Sequence, residues 1–207
     1  MKTPPSTERG RRTRAAIVEA AASLMRERGL AAPSVDDVLL ASGTGKSQFY
    51  HYFEGRQELT IAVLFHQFEQ VLGGQPALTD QTCGDLRRWR DDVVRTHRRT
   101  CHGLCPLGVF VGQVDGDPAL KAILIELFAR WHGAIADLVG RAVRAGRVSP
   151  GTDPAAAGWA LLTALQGGTM LAHLRGDEGP LVQALDAVVD GLVVADGLVV
   201  APVAVGD

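Results

Sequence analysis

Between Lys46 and Phe53 the chain reads Lys-Ser-Gln-Phe-Tyr-His-Tyr-Phe, directly after the turn Gly43-Thr44-Gly45. On a helix, Phe49 and Phe53 lie one turn apart and share a face. That face anchors the segment and turns Lys46, Ser47, Gln48, Tyr50 and His51 outward. A glutamine amide can make two hydrogen bonds to adenine. Lysine, serine and tyrosine are ordinary phosphate partners. A helix start also favours an anion, through its free N–H groups and its dipole. The chemistry these residues offer is the reading of double-stranded DNA. Lys2, Arg9, Arg11, Arg12 and Arg14 add a basic arm that faces a single acid, Glu8. Arms of this kind touch phosphate or the minor groove. Arg56 begins the next helix, where side chain and helix N-terminus can hold one phosphate together.

A second constellation is His97, Cys101, His102 and Cys105. His97 and Cys101 are four residues apart and share a helix face. Imidazole and thiolate suit zinc or copper. Against a metal site, Cys105 stands beyond the helix end beside Pro106, and His102 points about 100° away from Cys101 on a 3.6-residue helix. Buried small hydrophobes are the commoner fate of free cysteines. The chain carries no Gly-rich phosphate loop, no His-Glu-x-x-His and no strand–Ser–helix elbow. No catalytic residue, no cofactor and no metal are expected, and the protein is not read as an enzyme.

The elements that position these residues are helices. Ile17, Ala20, Ala21, Leu24 and Met25 follow helical spacing, with Thr7 or Ser6 as cap and Gly29 as stop. Ser34 caps a short helix that ends at Ser42-Gly43, and a third runs to about Tyr52. Two short helices joined by a Gly-containing turn describe a helix-turn-helix. A fourth helix, 56–72, is apolar on two sides, as a helix joining two domains would be. After the break Gly73-Gly74-Gln75-Pro76, Thr79 or Asp80 starts a helix carrying Leu86, Trp89, Val93, His97 and Cys101. Asp117-Pro118 and Asp153-Pro154 are strong start signals for two more. A last helix holds Leu181, Leu185, Val188 and Leu192. The tail repeats Asp-Gly-Leu-Val-Val-Ala from Asp190 and again from Asp196, a ragged doublet and not a repeat architecture.

Length and composition agree with a globular chain: 207 residues, 46% hydrophobic and 21% charged, with a net charge of −2. Residues 1–60 carry nine Lys/Arg against seven Asp/Glu, and the rest carry twelve against sixteen. A basic end on an acidic body points to an anionic partner at that end only. Three cysteines are too few for a disulfide framework and fit reduced thiols in the cytoplasm. No apolar run follows the basic N-terminus before Gly29, and the apolar stretch Gly197–Val205 is far shorter than a membrane helix. Neither secretion nor a membrane partner is expected.

Thr44 to Phe53, followed by Arg56-Gln57-Glu58-Leu59, resembles the recognition segment of the TetR family of bacterial transcriptional regulators. Ser34 to Val38 and Ala41-Ser42-Gly43 fit the same pattern, and the likeness covers about residues 10–65. It implies an all-α fold, with a three-helix DNA-binding domain and a larger helical ligand-binding and dimerisation domain. It also implies a homodimer, and release of operator DNA when a small-molecule effector binds. The corresponding boundaries are 1–55 for the arm and helix-turn-helix, and 56–207 for the second domain, with 56–72 as connecting helix. The DNA-facing set is Arg11, Arg14, Ser34, Thr44, Lys46, Ser47, Gln48, Tyr50, His51 and Arg56. Gly45 stands where the family often has Ser or Thr, and the larger Gln48 replaces a frequent small residue, which implies an operator of this chain's own.

The helical body offers a largely apolar interior with polar intruders. Trp89, His97, Phe110, Gln113, Trp131, Trp159, Gln166, Met170 and His173 lie on or near apolar stripes and form the expected ligand-binding set. For each, plain core remains the simpler alternative; for Gln166 and His173 core and pocket weigh equally. Gly167, Gly168 and Ala172 allow close helix approach. The stripe of Leu181, Leu185, Val188 and Leu192 is wider than one neighbour needs, so the last two helices carry the expected dimer interface. The leading expectation is a transcriptional repressor released by a small, largely apolar ligand. The alternative is a metal- or thiol-redox-responsive regulator using His97, Cys101 and Cys105.

Overall fold

The computed structural model describes residue 2 and residues 5–100 and 103–194. Among them, nine α-helices follow in order: α1 Glu8–Arg28, α2 Val35–Ser42, α3 Lys46–Tyr52, α4 Arg56–Gly73, α5 Pro76–Thr79, α6 Leu86–Arg99, α7 Pro118–Arg144, α8 Pro154–Arg175 and α9 Gly179–Leu192. A 3-10 turn, Gly108–Gln113, precedes α7. The second copy of the tail doublet, from Asp196, lies outside the described residues.

The chain forms two compact units. One comprises residues 1–75 with 100–131, the other 76–99 with 132–207. These units do not divide at residue 55, because α4 is packed onto α1. Leu59, Ala62 and Val63 on one side of α4 are buried, and so are Leu64, Phe68 and Val71 on the other. The Arg130 guanidinium lies 4.9 Å over the Phe68 ring, and Trp131 Nε1 donates to Gln75 Oε1 at 3.3 Å.

In the first unit, local signals fix the helix ends. Thr7 Oγ1 accepts the Gly10 N–H at 3.1 Å. Glu8 in the first turn of α1 and Arg26 and Arg28 in the last complement the helix dipole. Ser34 and Asp37 form a reciprocal capping box, and Gly43 closes α2 at φ 64°, a conformation glycine adopts without a Cβ penalty. The hydroxyl and N–H of Ser34 hold the Asp37 carboxyl below its usual range.

In the second unit, α6 begins at Leu86 and not at Thr79 or Asp80. Two aspartates break the expected helix. Asp80 turns its carboxylate onto the Thr82 N–H and hydroxyl, and Asp85 Oδ1 accepts from the N–H groups of Arg87 and Arg88. Such side-chain bonds compete with helical ones. Ion pairs join α6 to α9: Arg90 grips Asp186 with two bonds of 2.7 and 2.9 Å, and Arg98 grips Glu178 likewise. α8 and α9 pack so closely that a Cβ on Gly168 would sit 2.8 Å from Leu181 Cα. Leu181, Leu185 and Val189 are fully buried within the chain. The apolar stripe expected to meet a partner is therefore partly spent inside one copy.

Candidate nucleic-acid interface

α3 is held by aromatic side chains. Phe49 and Phe53 are completely buried, with ring centroids 5.5 Å apart, and Tyr50 meets Phe49 edge-on at 5.2 Å. Lys46, Ser47, Gln48, Tyr50 and His51 are all exposed. The helix thus presents one face of phosphate and base partners and sinks the other.

Several side chains in the expected DNA-facing set already have partners. Gln48 Oε1 accepts the Gly45 N–H at 3.2 Å. That leaves the second lone pair of Oε1 and the Nε2 group for a two-bond contact to a base. The Ser34 hydroxyl accepts from the Asp37 N–H at 3.1 Å and donates to the Asp37 carboxylate at 2.6 Å, so the cap occupies it. The Thr44 hydroxyl lies 2.7 Å from that of Ser42. Arg11 binds the Glu8 carboxylate and the Ser6 carbonyl. Arg14 lies 5.1 Å over the Phe53 ring and makes no ion pair among the described residues. Arg56 donates from Nη2 to the Leu30 carbonyl at 3.0 Å. Sequence inspection missed the seat of Lys2, which donates from Nζ to the Tyr50 carbonyl and from its backbone N–H to Glu58. Burial pushes the Glu58 carboxyl up, but N–H groups of Glu54 and Lys2 outweigh that and hold it below its usual range.

The expected ligand-binding residues differ in exposure. Trp89, His97, Phe110 and Trp131 are buried, and Gln166 is half-buried. Trp159 and Met170 are instead 52% and 57% exposed, and His173 is exposed too. α8 is apolar all round, so periodicity could not choose its inner face. That face carries Ala157, Leu161, Leu162, Leu165, Gly168, Thr169 and Ala172. Trp159 stacks on His132 at 4.2 Å, on the other side. Gln113 is a surface bracket and not a pocket wall: its Oε1 accepts the Leu30 N–H at 2.5 Å and its Nε2 donates to the Val109 carbonyl. A polar side chain passed over in the sequence is Gln67, 1% exposed, whose Oε1 has no hydrogen-bond partner among the described residues. Its signal was a glutamine between Leu64, Phe68 and Val71 on an apolar stripe.

Cys101 and His102 lie outside the described residues. His97 belongs to the second unit and Cys105 to the first, where its Sγ accepts the Gly108 N–H at 3.3 Å. Among the described residues no three His, Cys, Asp or Glu side chains gather as metal ligands. No described helix is long and apolar enough to cross a membrane.

A three-helix unit with an exposed, basic and amide-bearing third helix defines a helix-turn-helix transcriptional regulator. Comparison with known proteins gives the family. The family described as "Bacterial regulatory proteins, tetR family" matches residues 17–63, and "Tetracyclin repressor-like, C-terminal domain" matches residues 85–188, half of the chain. The chain belongs to the TetR family of DNA-binding transcriptional regulators, whose members are generally not enzymes and are typically homodimers that bind small molecules. It is 28% identical over 176 residues to an uncharacterized HTH-type transcriptional regulator of Mycobacterium tuberculosis, covering 80% of this chain and 86% of the relative. It is 27% identical over 176 residues to the transcriptional regulator AcuR of Cereibacter sphaeroides, covering 80% and 78%. The crystal structure of regulatory protein TetR from Rhodobacter sphaeroides shares the fold, with a TM-score of 0.74 at 23% identity over 87% of this chain and 98% of the other.

Proposed function

We propose that the protein is a repressor that holds a palindromic operator through α3 and releases it when a small, largely apolar molecule binds its helical body. It works in the cytoplasm as a homodimer, its two copies meeting through α8 and α9. The observation that carries the DNA reading is the division of α3 into a buried aromatic face and an exposed face of Lys46, Ser47, Gln48, Tyr50 and His51. Support for an effector comes from Gln67, whose buried Oε1 a ligand donor group would satisfy. Support for α8 as the meeting face comes from Trp159, Met170, Leu171 and Leu174, all large, apolar and exposed.

The test is a shift assay on the DNA upstream of the protein's own gene. Gln48→Ala costs about 1–3 kcal/mol on the preferred site and relaxes the preference at one base pair. Tyr50→Phe, a phosphate contact, weakens every site alike. A uniform loss for Gln48→Ala across a panel of single-base variants would remove Gln48 as a base reader.

Release needs a link to the DNA-binding helices, and Leu30 supplies a candidate. Its N–H is held by Gln113 and its carbonyl by Arg56, one residue gripped from two elements. If both act through that turn, Gln113→Ala and Arg56→Ala each weaken operator binding by about 1 kcal/mol. Their double variant then falls short of the sum by about 0.5 kcal/mol or more. Additive losses, with a salt slope reduced by about one unit for Arg56→Ala, would instead make Arg56 a phosphate contact.

A further inference from the structure

Around the carboxyl end of α7, Arg141, Arg144 and Arg147 border an open cleft of about 380 Å³, which Gln81, Thr82 and Gly84 complete from the loop between α5 and α6. Arg141 is only 9% exposed. Its Nε donates to the Cys83 carbonyl at 2.6 Å, and its Nη2 donates to the Ala77 and Leu78 carbonyls at 3.2 and 3.4 Å. Those carbonyls satisfy donors but bring no net negative charge. Neither Arg141 nor Arg144 pairs with a carboxylate among the described residues, and Arg147 reaches Asp85 only at 3.5 Å.

The carboxylates on the loop are committed elsewhere. Asp80 pairs with Arg88 at 3.2 Å and accepts from Thr82, while Asp85 caps the start of α6. The Thr82 hydroxyl is spent on Asp80. Counting Asp85 against the three arginines leaves the cleft two positive charges in excess. A buried guanidinium without an anion is an unfavourable arrangement. The partial charge of a helix carboxyl end favours cations nearby, but it amounts to about half an elementary charge. A close fit holds the site in shape: a Cβ on Gly84 would sit 3.0 Å from the Arg141 carbonyl oxygen.

We propose that this cleft binds a small phosphate-bearing molecule, its anionic group held by Arg144 and Arg147 above the buried charge of Arg141. Guanidinium forks match phosphate oxygens in pairs. The volume lies at the small end of ligand sites, which suits pyrophosphate or a phosphomonoester. Neither the DNA reading nor the effector reading uses these residues.

The experiment is calorimetric titration of the full chain with sodium pyrophosphate, ionic strength held constant with sodium chloride. Saturable binding is expected. Arg144→Gln with Arg147→Gln, both exposed, weakens it by about tenfold or more. The DNA-binding unit is itself basic, so Arg14→Gln with Lys46→Gln is run beside it and leaves the affinity within about twofold. Orthophosphate and adenosine monophosphate are titrated in the same buffer: equal affinities assign the bare anion, and a tighter monophosphate assigns an ester. Heat no greater than that of chloride overturns the proposal. So does a loss that follows Arg14 and Lys46 instead of the cleft. Displacement of pyrophosphate by random-sequence duplex, itself abolished by the cleft variants, also overturns it, by making the cleft a nucleic-acid contact.

Discussion

Phe49→Ala abolishes operator binding and lowers the stability of the first unit by about 3–5 kcal/mol, the range for emptying a buried aromatic site. Phe49 is fully buried, packed against Phe53 and Tyr50, in a unit whose other buried residues include Ile17 and Val38. α3 has only seven residues, too few to be stable by itself. Its position therefore depends on Phe49 and Phe53, and a helix that shifts cannot present Gln48 and Tyr50 to one groove together. Phe49→Leu keeps an apolar side chain in place and is the milder partner variant. Urea unfolding and a shift assay on both variants give the answer. A Phe49→Ala protein with unchanged midpoint and unchanged affinity would mean that α3 is placed by something else.

The three-helix part of the first unit was legible because its determinants are local. Thr7, Ser34 and Gly43 each act within four residues of their own position, and the spacing of Phe49 and Phe53 shows the buried face directly. The second unit resisted for the opposite reason. Asp153-Pro154 announces the start of α8, yet nothing nearby says which side turns inward, since Trp159, Leu162, Leu165 and Met170 are all apolar. The choice is made by α9, whose Leu181 backbone comes against Gly168. Gln113 likewise answers to a distant partner. Its partner, Leu30, is 83 residues away in sequence, and no periodicity connects them. Gln67 shows the converse, because a polar residue on a buried stripe is visible in the sequence itself.

Leu174→Glu splits the dimer and reduces operator affinity by about two decades or more, while the chain stays folded. The reasoning starts from burial. Leu181, Leu185 and Val189 are consumed inside one copy, so they cannot also form the core of an interface. What α8 still offers is Trp159 at 52% exposure, Met170 at 57%, Leu171 at 47% and Leu174 at 80%. A carboxylate on such a face would have to be desolvated on association, with no cation guaranteed to meet it. In the free chain it costs little, because the side chain already stands in water. The effect on DNA is larger than that on any single contact, since two linked half-site readers gain about 10²–10⁴ over one. Ile125→Glu is the control: it puts the same charge on another exposed apolar residue, 62% exposed on α7. Sedimentation of the two variants at one concentration, with operator affinity measured beside it, separates the possibilities. Leu174→Glu should sediment as a monomer and Ile125→Glu as a dimer. A Leu174→Glu protein that remains dimeric and binds its operator as tightly as before would place the interface on another surface.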